Sequence, residues 1–317
     1  MTKKEFARGL AHFFGRLGVG ICDVGATIMP FSLLYGFARI IAWIGYKIAA
    51  KQRRIAVESL AKAFNGEKTP AEIEHIAREC FYAMAGTAVE FFMFMRHPER
   101  IRKYVEVQGL ENLDRALGHG KGVVGVSAHF GSFPLLVSRL AMDGYKVSTM
   151  IRHIRDPKLD ELFEKKRDMM RVGSIYTQPR EQCVNRSLEI LRNNEILFIQ
   201  LDQNFGTAGV FVDFFGTKAA TATGPVVFSM RTGAPLVPMF IYRLKGPRHK
   251  IVIEPEYKMK TEGSKHEIMV DAIQALTALI EKYIRKYPHE WGWIHKRWKA
   301  RPKEEREAVT EVDDLSR

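Results

Sequence analysis

Hydrophobic and polar positions divide the 317-residue chain into two regimes. Residues 1–16 set Lys3, Lys4, Arg8 and Arg16 among Phe6, Leu10, Phe13 and Phe14, a basic amphipathic pattern. Residues 17–50 are mostly apolar, broken only by Asp23, Arg39 and Lys47, and residues 24–38 carry no charge. A spanning helix needs roughly 20 apolar residues, so the segment is borderline by length. Pro30 kinks any helix that crosses it. Trp43, Tyr35 and Tyr46 beside Lys and Arg have the composition of an interfacial belt. The segment therefore reads as a membrane anchor, spanning or lying in the interface, with a buried core helix as the alternative. No small-residue cleavage site follows a short apolar core, which argues against a removed signal peptide.

From residue 51 the pattern is that of a folded domain. Residues 51–64 predict a helix, closed by the turn signal Asn65-Gly66. Thr69-Pro70-Ala71-Glu72 reads as a capping box with proline at the first helical position. In the helix it opens, Ile73, Ile76, Cys80, Met84, Ala88, Phe91 and Met95 form one apolar stripe, and His97-Pro98 ends it. Beyond residues 103–107 strands and helices alternate. Strands are predicted over 123–126, 146–151, 195–201, 236–244 and 250–254. Helices are predicted over 134–142, from Asp156-Pro157 to about 171, over 181–192, over 224–232 and over 266–287. This order predicts one α/β domain with a mostly parallel, mixed sheet flanked by helices. Three regions result: a basic segment and anchor over 1–50, the α/β domain over 51–300, and a charged tail over 301–317.

Composition narrows the partners. With 46% hydrophobic and 27% charged residues the chain is not disordered, and its net charge of +13 suits an anionic partner. An acidic membrane surface or an acidic carrier protein fits better than nucleic acid, because no zinc-finger spacing or RNA-binding aromatic signature is present. Cys22, Cys80 and Cys183 lack CxxC spacing, which argues for a reducing compartment and against disulfides and structural zinc.

The candidate chemistry centres on residues 121–136, KGVVGVSAHFGSFPLL. A buried strand ending in His129, with Gly131 and Ser132 opening a helix, places the imidazole at the carboxyl edge of a sheet, where ligands of open α/β sheets bind. Helix-start amides around residues 130–132 face developing negative charge. A neutral imidazole is a suitable general base near pH 7. Three further stretches place polar groups at strand ends: LDQNFG with Asp202, Gln203 and Asn204; GVFVDFFG; and TATGP, where Thr223 and Gly224 open a helix. Ser132 lacks the G-x-S-x-G elbow of a serine nucleophile.

In this order AHFGSF, LDQNFG, VFVDFFG, TATGP…RTGAPLVP and WGWIHKRWKARP resemble the bacterial lipid A late (lauroyl/myristoyl) acyltransferases of the lysophospholipid acyltransferase superfamily. The similarity runs from about residue 39 to 302 and includes RRIAVESL. The resemblance implies a glycerolipid acyltransferase-like fold at the cytoplasmic face of the inner membrane. It implies transfer of a fatty acyl chain from acyl carrier protein to a hydroxyl of a glycolipid in lipopolysaccharide biosynthesis, with no metal or organic cofactor. His129 is then the general base. Gly131, Ser132, Arg152, Gln203, Thr223 and Gly224 are candidate substrate-binding residues, Arg152 by its match to the family's second motif. The family pairs its histidine with Asp or Glu five positions later; here that position is Pro134. Asp202 is the candidate replacement, with Asp213 and Glu90 as rivals. An acceptor other than lipid A, an acyl-CoA donor, or a lipid-binding homologue without activity are the alternatives. Arg155 and the Lys165–Lys166–Arg167 run admit binding roles, the run toward an acidic carrier protein, or a solvated surface; Phe91–Phe92–Phe94–Met95 and the Trp291–Trp293–His295–Lys296–Arg297–Trp298 cluster admit binding roles or plain packing.

Overall fold

The computed structural model describes residues 3–303; residues 304–317, most of the expected charged tail, lie outside the described residues. Four helices come first: α1 (Lys3–Ile28), α2 (Phe31–Ile48), α3 (Ala50–Phe64) and α4 (Pro70–Arg96). The short α5 (Ile101–Tyr104) leads into β1 (Val105–Gln108), α6 (Leu110–Leu117), β2 (Val123–Ser127), α7 (Phe133–Met142), β3 (Val147–Ile151), α8 (Pro157–Met169), β4 (Val172–Tyr176), α9 (Arg180–Arg192) and β5 (Ile196–Gln200). Then come β6 (Val210–Phe214), β7 (Thr217–Thr221), α10 (Gly224–Thr232), β8 (Leu236–Arg243), β9 (His249–Ile253) and α11 (Lys265–Lys286).

Seven strands form one sheet in the order β1-β9-β8-β2-β5-β3-β4. Every neighbouring pair is parallel except β8–β9, so the sheet is mostly parallel and mixed, as the alternation predicts. β2 lies at the centre and is buried along its whole length, which its apolar run requires. Its side chains alternate between two cores. Val124 and Val126 join α3, α9, α10 and α11 on one face, while Val123 joins α6 and α7 on the other. The pattern does not predict α6, β4 or the β6–β7 hairpin. That hairpin turns through Phe215 (φ 51°) and Gly216 (φ 67°), a two-residue turn with both φ positive, formed here without the usual Asn-Gly signal.

The N-terminal region departs from a simple anchor. Pro30 separates α1 from α2, as its missing N–H and fixed φ require. Among the described residues no single helix is long and apolar enough to cross a membrane; α2 and α3 reach that composition only together, across an 89° bend. The expected aromatic belt is also corrected. Trp43 is exposed, but the Tyr46 hydroxyl donates to Glu74 at 2.5 Å and Tyr35 donates to the buried Glu90. The outer surface of α1 and α2 is nonetheless apolar, with Leu17, Ile21, Val24, Ile28, Leu33 and Ile40 exposed. Polar clamps hold α1 inward. Asp23 bonds Lys166 at 2.7 Å and Arg96 at 2.9 Å, and Arg16 grips Asp156 at 2.7 and 2.8 Å. Lys166 is thus buried and paired rather than part of a solvated basic face.

The capping box at Thr69 forms as its sequence predicts. The single stripe along α4 does not. Ile73, Ile76 and Cys80 are buried in one core, Met84 is 41% exposed, and burial resumes on another side at Val89, Phe92, Met93, Phe94 and Met95 in the second core. A long helix that passes from one face of a sheet to the other must change the side it buries, and α4 spans both cores. Phe92, Phe94 and Met95 are therefore core rather than an open groove. Ile76→Ala should destabilise the protein by about 2–4 kcal/mol, as buried truncations do. Met84→Ala, at an exposed position of the same sequence stripe, should stay within about 0.5 kcal/mol. Urea unfolding of the two variants checks the difference.

Candidate active site

Strand register assembles the centre. β2 and β5 pair in parallel with Ser127 opposite Gln200, so two residues further on His129 stands beside Asp202. The imidazole Nδ1 and Asp202 Oδ1 are 2.9 Å apart. Asp202 is almost wholly buried, and its other oxygen accepts the Trp291 indole N–H at 2.7 Å. On the far side of the ring, Gln203 Nε2 lies 3.2 Å from His129 Nε2. The network assigns the tautomer: Nδ1–H donates to the carboxylate, and the Nε2 lone pair accepts from the Gln203 amide. His129 keeps 37% of its side-chain surface exposed and Gln203 is exposed, while the Asp202 carboxylate stays dry.

Burial pulls the His129 pKa down, but the charge and hydrogen bond of Asp202 outweigh it, and the net shift is above the ordinary value of 6.5. For Asp202 burial pushes upward, yet His129 and the Trp291 N–H hold its pKa below the usual carboxylate range. A buried anion beside a polarised imidazole is an orienting and charge-stabilising arrangement. The rivals are spent elsewhere. Asp213 is exposed and paired with Lys218 at 3.1 Å. Glu90 is buried in a separate cluster, where Tyr35 and Arg243 donate to it and His249 Nε2 lies 3.3 Å away.

Several helix and loop starts share this edge. Gly131 takes φ 57°, and a Cβ there would sit 2.0 Å from the Ile241 carbonyl oxygen, so only glycine fits. Its N–H donates to the Glu290 carbonyl at 2.8 Å. This corrects the reading of Gly131 as an anion-binding amide, because a backbone donor already committed to a carbonyl has no hydrogen left to offer. Ser132 precedes α7 and is wholly buried, its hydroxyl without a hydrogen-bond partner. Pro134, within the first turn of α7, brings no N–H. Arg152 is exposed just past β3, two strands from β2 on the same edge. α10 runs back antiparallel to β8, so Thr223 and Gly224 at its start also lie towards the carboxyl edge.

The tryptophan-rich C-terminal stretch is packing, not an exposed grip. Trp291, Trp293 and Arg297 are buried. Arg297 donates to the Gln203 carbonyl at 3.1 Å, the Ala220 carbonyl at 2.5 Å and the Thr221 hydroxyl at 2.5 Å, tying the LDQNFG loop to β7. Burial lowers its pKa to about 10, so the guanidinium stays charged near neutrality. Trp291 is the partner of Asp202 that the sequence pattern does not disclose, since a tryptophan in an aromatic cluster carries no sign of where its N–H points.

Residues 5–300 match the sequence model of a family described as bacterial lipid A biosynthesis acyltransferase. The chain is similar to the lipid A biosynthesis palmitoleoyltransferase of Escherichia coli (strain K12), 26% identical over 305 residues that cover 94% of this chain and 96% of that protein. It is also similar to a phosphatidylinositol mannoside acyltransferase of Mycobacterium tuberculosis (strain CDC 1551 / Oshkosh), 26% identical over 216 residues, 68% of this chain and 66% of that one. Among solved structures, 1-acyl-sn-glycerophosphate acyltransferase PlsC from Thermotoga maritima aligns with 82% of this chain and 97% of its own, at 11% identity and a TM-score of 0.38.

Two outcomes follow from this geometry. In an NMR titration His129 should protonate above 6.5 in the native protein, and Asp202→Asn should lower that midpoint by removing the charge that favours imidazolium. Gly131→Ala should destabilise the fold by more than about 1 kcal/mol, because a Cβ at positive φ adds strain to the clash with Ile241; thermal unfolding measures it.

Proposed function

This chain belongs to the bacterial lipid A biosynthesis acyltransferase family and is an acyltransferase, and on that premise we propose that it moves a fatty acyl chain from acyl carrier protein to a hydroxyl of a lipid A precursor, with His129 as general base and Asp202 as its orienting partner. The hydrogen bond between His129 Nδ1 and Asp202 Oδ1 carries the reading. It leaves Nε2 as the basic atom, on the exposed side of the ring.

The acceptor hydroxyl displaces Gln203 from Nε2 and gives its proton to that nitrogen as its oxygen attacks the thioester carbonyl. Collapse of the tetrahedral intermediate breaks the C–S bond, and the imidazolium returns the proton to the departing thiolate. The products are an ester and a free carrier thiol, with no acyl-enzyme and no cofactor. The amides of Ser132 and Phe133 at the start of α7 are the donors proposed for the oxyanion, an interaction worth roughly 3–4 kcal/mol per donor in other enzymes. Arg152, with its planar fork, is proposed to bind acceptor phosphate or carboxylate, and Thr223 and Gly224 to border the substrate.

The apolar outer surface of α1 and α2 supports placement at a membrane, proposed as the cytoplasmic face of the inner membrane, where both the carrier and the glycolipid are reached. The net charge of +13 favours an acidic carrier and an anionic bilayer. Similarity to a phosphatidylinositol mannoside acyltransferase supports a second reading, in which the acceptor is a different glycolipid. The intact dyad argues against a homologue that only binds lipid.

His129→Ala should lower transfer from acyl carrier protein by roughly 10²–10⁴-fold. Asp202→Asn should lower kcat far more than Asp213→Asn. The neutral imidazole is the active form and its pKa is raised, so kcat/KM should fall as pH drops through a value above 6.5. A steady-state pH series with purified carrier checks these expectations. Mass spectrometry of lipids from cells with and without the gene identifies the acceptor; wild-type rates in His129→Ala would remove the imidazole from the mechanism.

A further inference from the structure

We propose that Trp291 is a positioning residue of the dyad: its indole N–H, held by the C-terminal segment, aims the Asp202 carboxylate at His129, so that Asp202 can orient the imidazole as Pro134 cannot. The proposal rests on the reading of His129 as general base.

A carboxylate on a loop turns about a broad sp³–sp² torsion unless both oxygens are held. Here the work is divided. Oδ2 accepts from Trp291 Nε1 at 2.7 Å, and Oδ1 lies 2.9 Å from His129 Nδ1. An indole is a donor only, and it does not titrate near neutrality. It therefore orients the carboxylate without competing for the proton, whereas a lysine in its place would draw on the charge that His129 uses.

Trp291 is itself immobilised. It is 1% exposed, with its ring centroid 4.7 Å from that of Trp293 and 5.6 Å from that of Phe214. Its carbonyl accepts from the Cys80 thiol at 3.1 Å. The backbone adds a second restraint. Trp291 forms an antiparallel bridge with Phe130, the residue after His129, and Gly131 N–H donates to the Glu290 carbonyl. One short segment thus holds the His129 loop through its backbone and Asp202 through its side chain. The other charged or titratable groups acting on Asp202 are His295, kept neutral by burial, and Arg297, whose hydrogen bonds go to Gln203, Ala220 and Thr221.

The test is Trp291→Phe in the full-length protein, which keeps an aromatic ring and removes the donor. Trp293→Phe is the control, since that buried indole donates to the Pro288 carbonyl at 2.6 Å and not to the dyad. NMR titration of the His129 ring should show a lower midpoint in Trp291→Phe and an unchanged one in Trp293→Phe. In transfer assays Trp291→Phe should lower kcat by about tenfold, the low end of what orienting partners contribute at metal-bound histidines, with KM unchanged. It should also move the acid limb to lower pH, and these effects should vanish in an Asp202→Asn background. An unchanged His129 midpoint in Trp291→Phe, or equal effects in both backgrounds, overturns the proposal. If the native protein shows no transfer, the catalytic reading fails while the ring titration still decides the positioning role. If Trp291→Phe does not fold, the native Trp291 indole N–H resonance decides: it should follow His129 protonation, and a resonance indifferent to that titration overturns the proposal.

Discussion

The parallel pairing of β2 with β5 is the constraint on which the site depends. Ser127 opposite Gln200 fixes His129 opposite Asp202, and a slip of one residue would turn each side chain to the other face. The register is secured by burial. Val124, Val126, Leu197 and Ile199 face one core while Val123, Ile196 and Phe198 face the other, so a slip would exchange side chains of different size and shape between two close-packed cores. The dyad inherits its precision from the hydrophobic effect acting on strands that have no chemistry of their own.

Around that pairing the molecule closes from both ends of the chain. The C-terminal segment lays Trp291 against Asp202 and Arg297 under the Gln203 loop. The N-terminal helices close the other flank through buried polar groups: Tyr35 of α2 and Arg243 at the end of β8 both donate to Glu90 of α4, and the Arg243 backbone N–H reaches Glu290 at 3.3 Å. Burying carboxylates is costly unless they are paired, and this cluster pairs them while burial drives its histidine, His249, down to a pKa of about 3 and keeps it neutral. The segment that touches the dyad thus also contacts the cluster anchored on α2 and α4.

Pro134 stands where the family that the sequence resembles carries a carboxylate, and in the proposed site Asp202 takes that place. A carboxylate one helical turn along from the histidine would orient it from α7. Here the orienting group comes from the neighbouring strand end, which the parallel register places equally close. The proline then costs little, because the first turn of a helix has no intrahelical use for its missing N–H. Gly131 is the counterpart: its expected role is binding, and the turn against Ile241 admits no residue with a Cβ there.

Periodicity and punctuation determined most of the elements: the alternation of strands and helices, the Thr69 capping box, the break at Pro30, and His129 at a strand's end all follow from local rules of burial and backbone geometry. Asp202 is legible as a polar residue after an apolar strand and as the candidate partner of His129, but the choice among Asp202, Asp213 and Glu90 is not, because spacing along the chain does not reveal which strands are neighbours. The tertiary structure alone decided that β5 lies beside β2 and Asp213 in a separate hairpin, that α4 changes its buried side between two cores, that Lys166 and Tyr35 turn inward, and that an indole in an aromatic cluster donates to the carboxylate. Each of these depends on partners distant in sequence, and hydrogen bonds and charge pairs are set by where side chains meet in space rather than by the order in which they are joined.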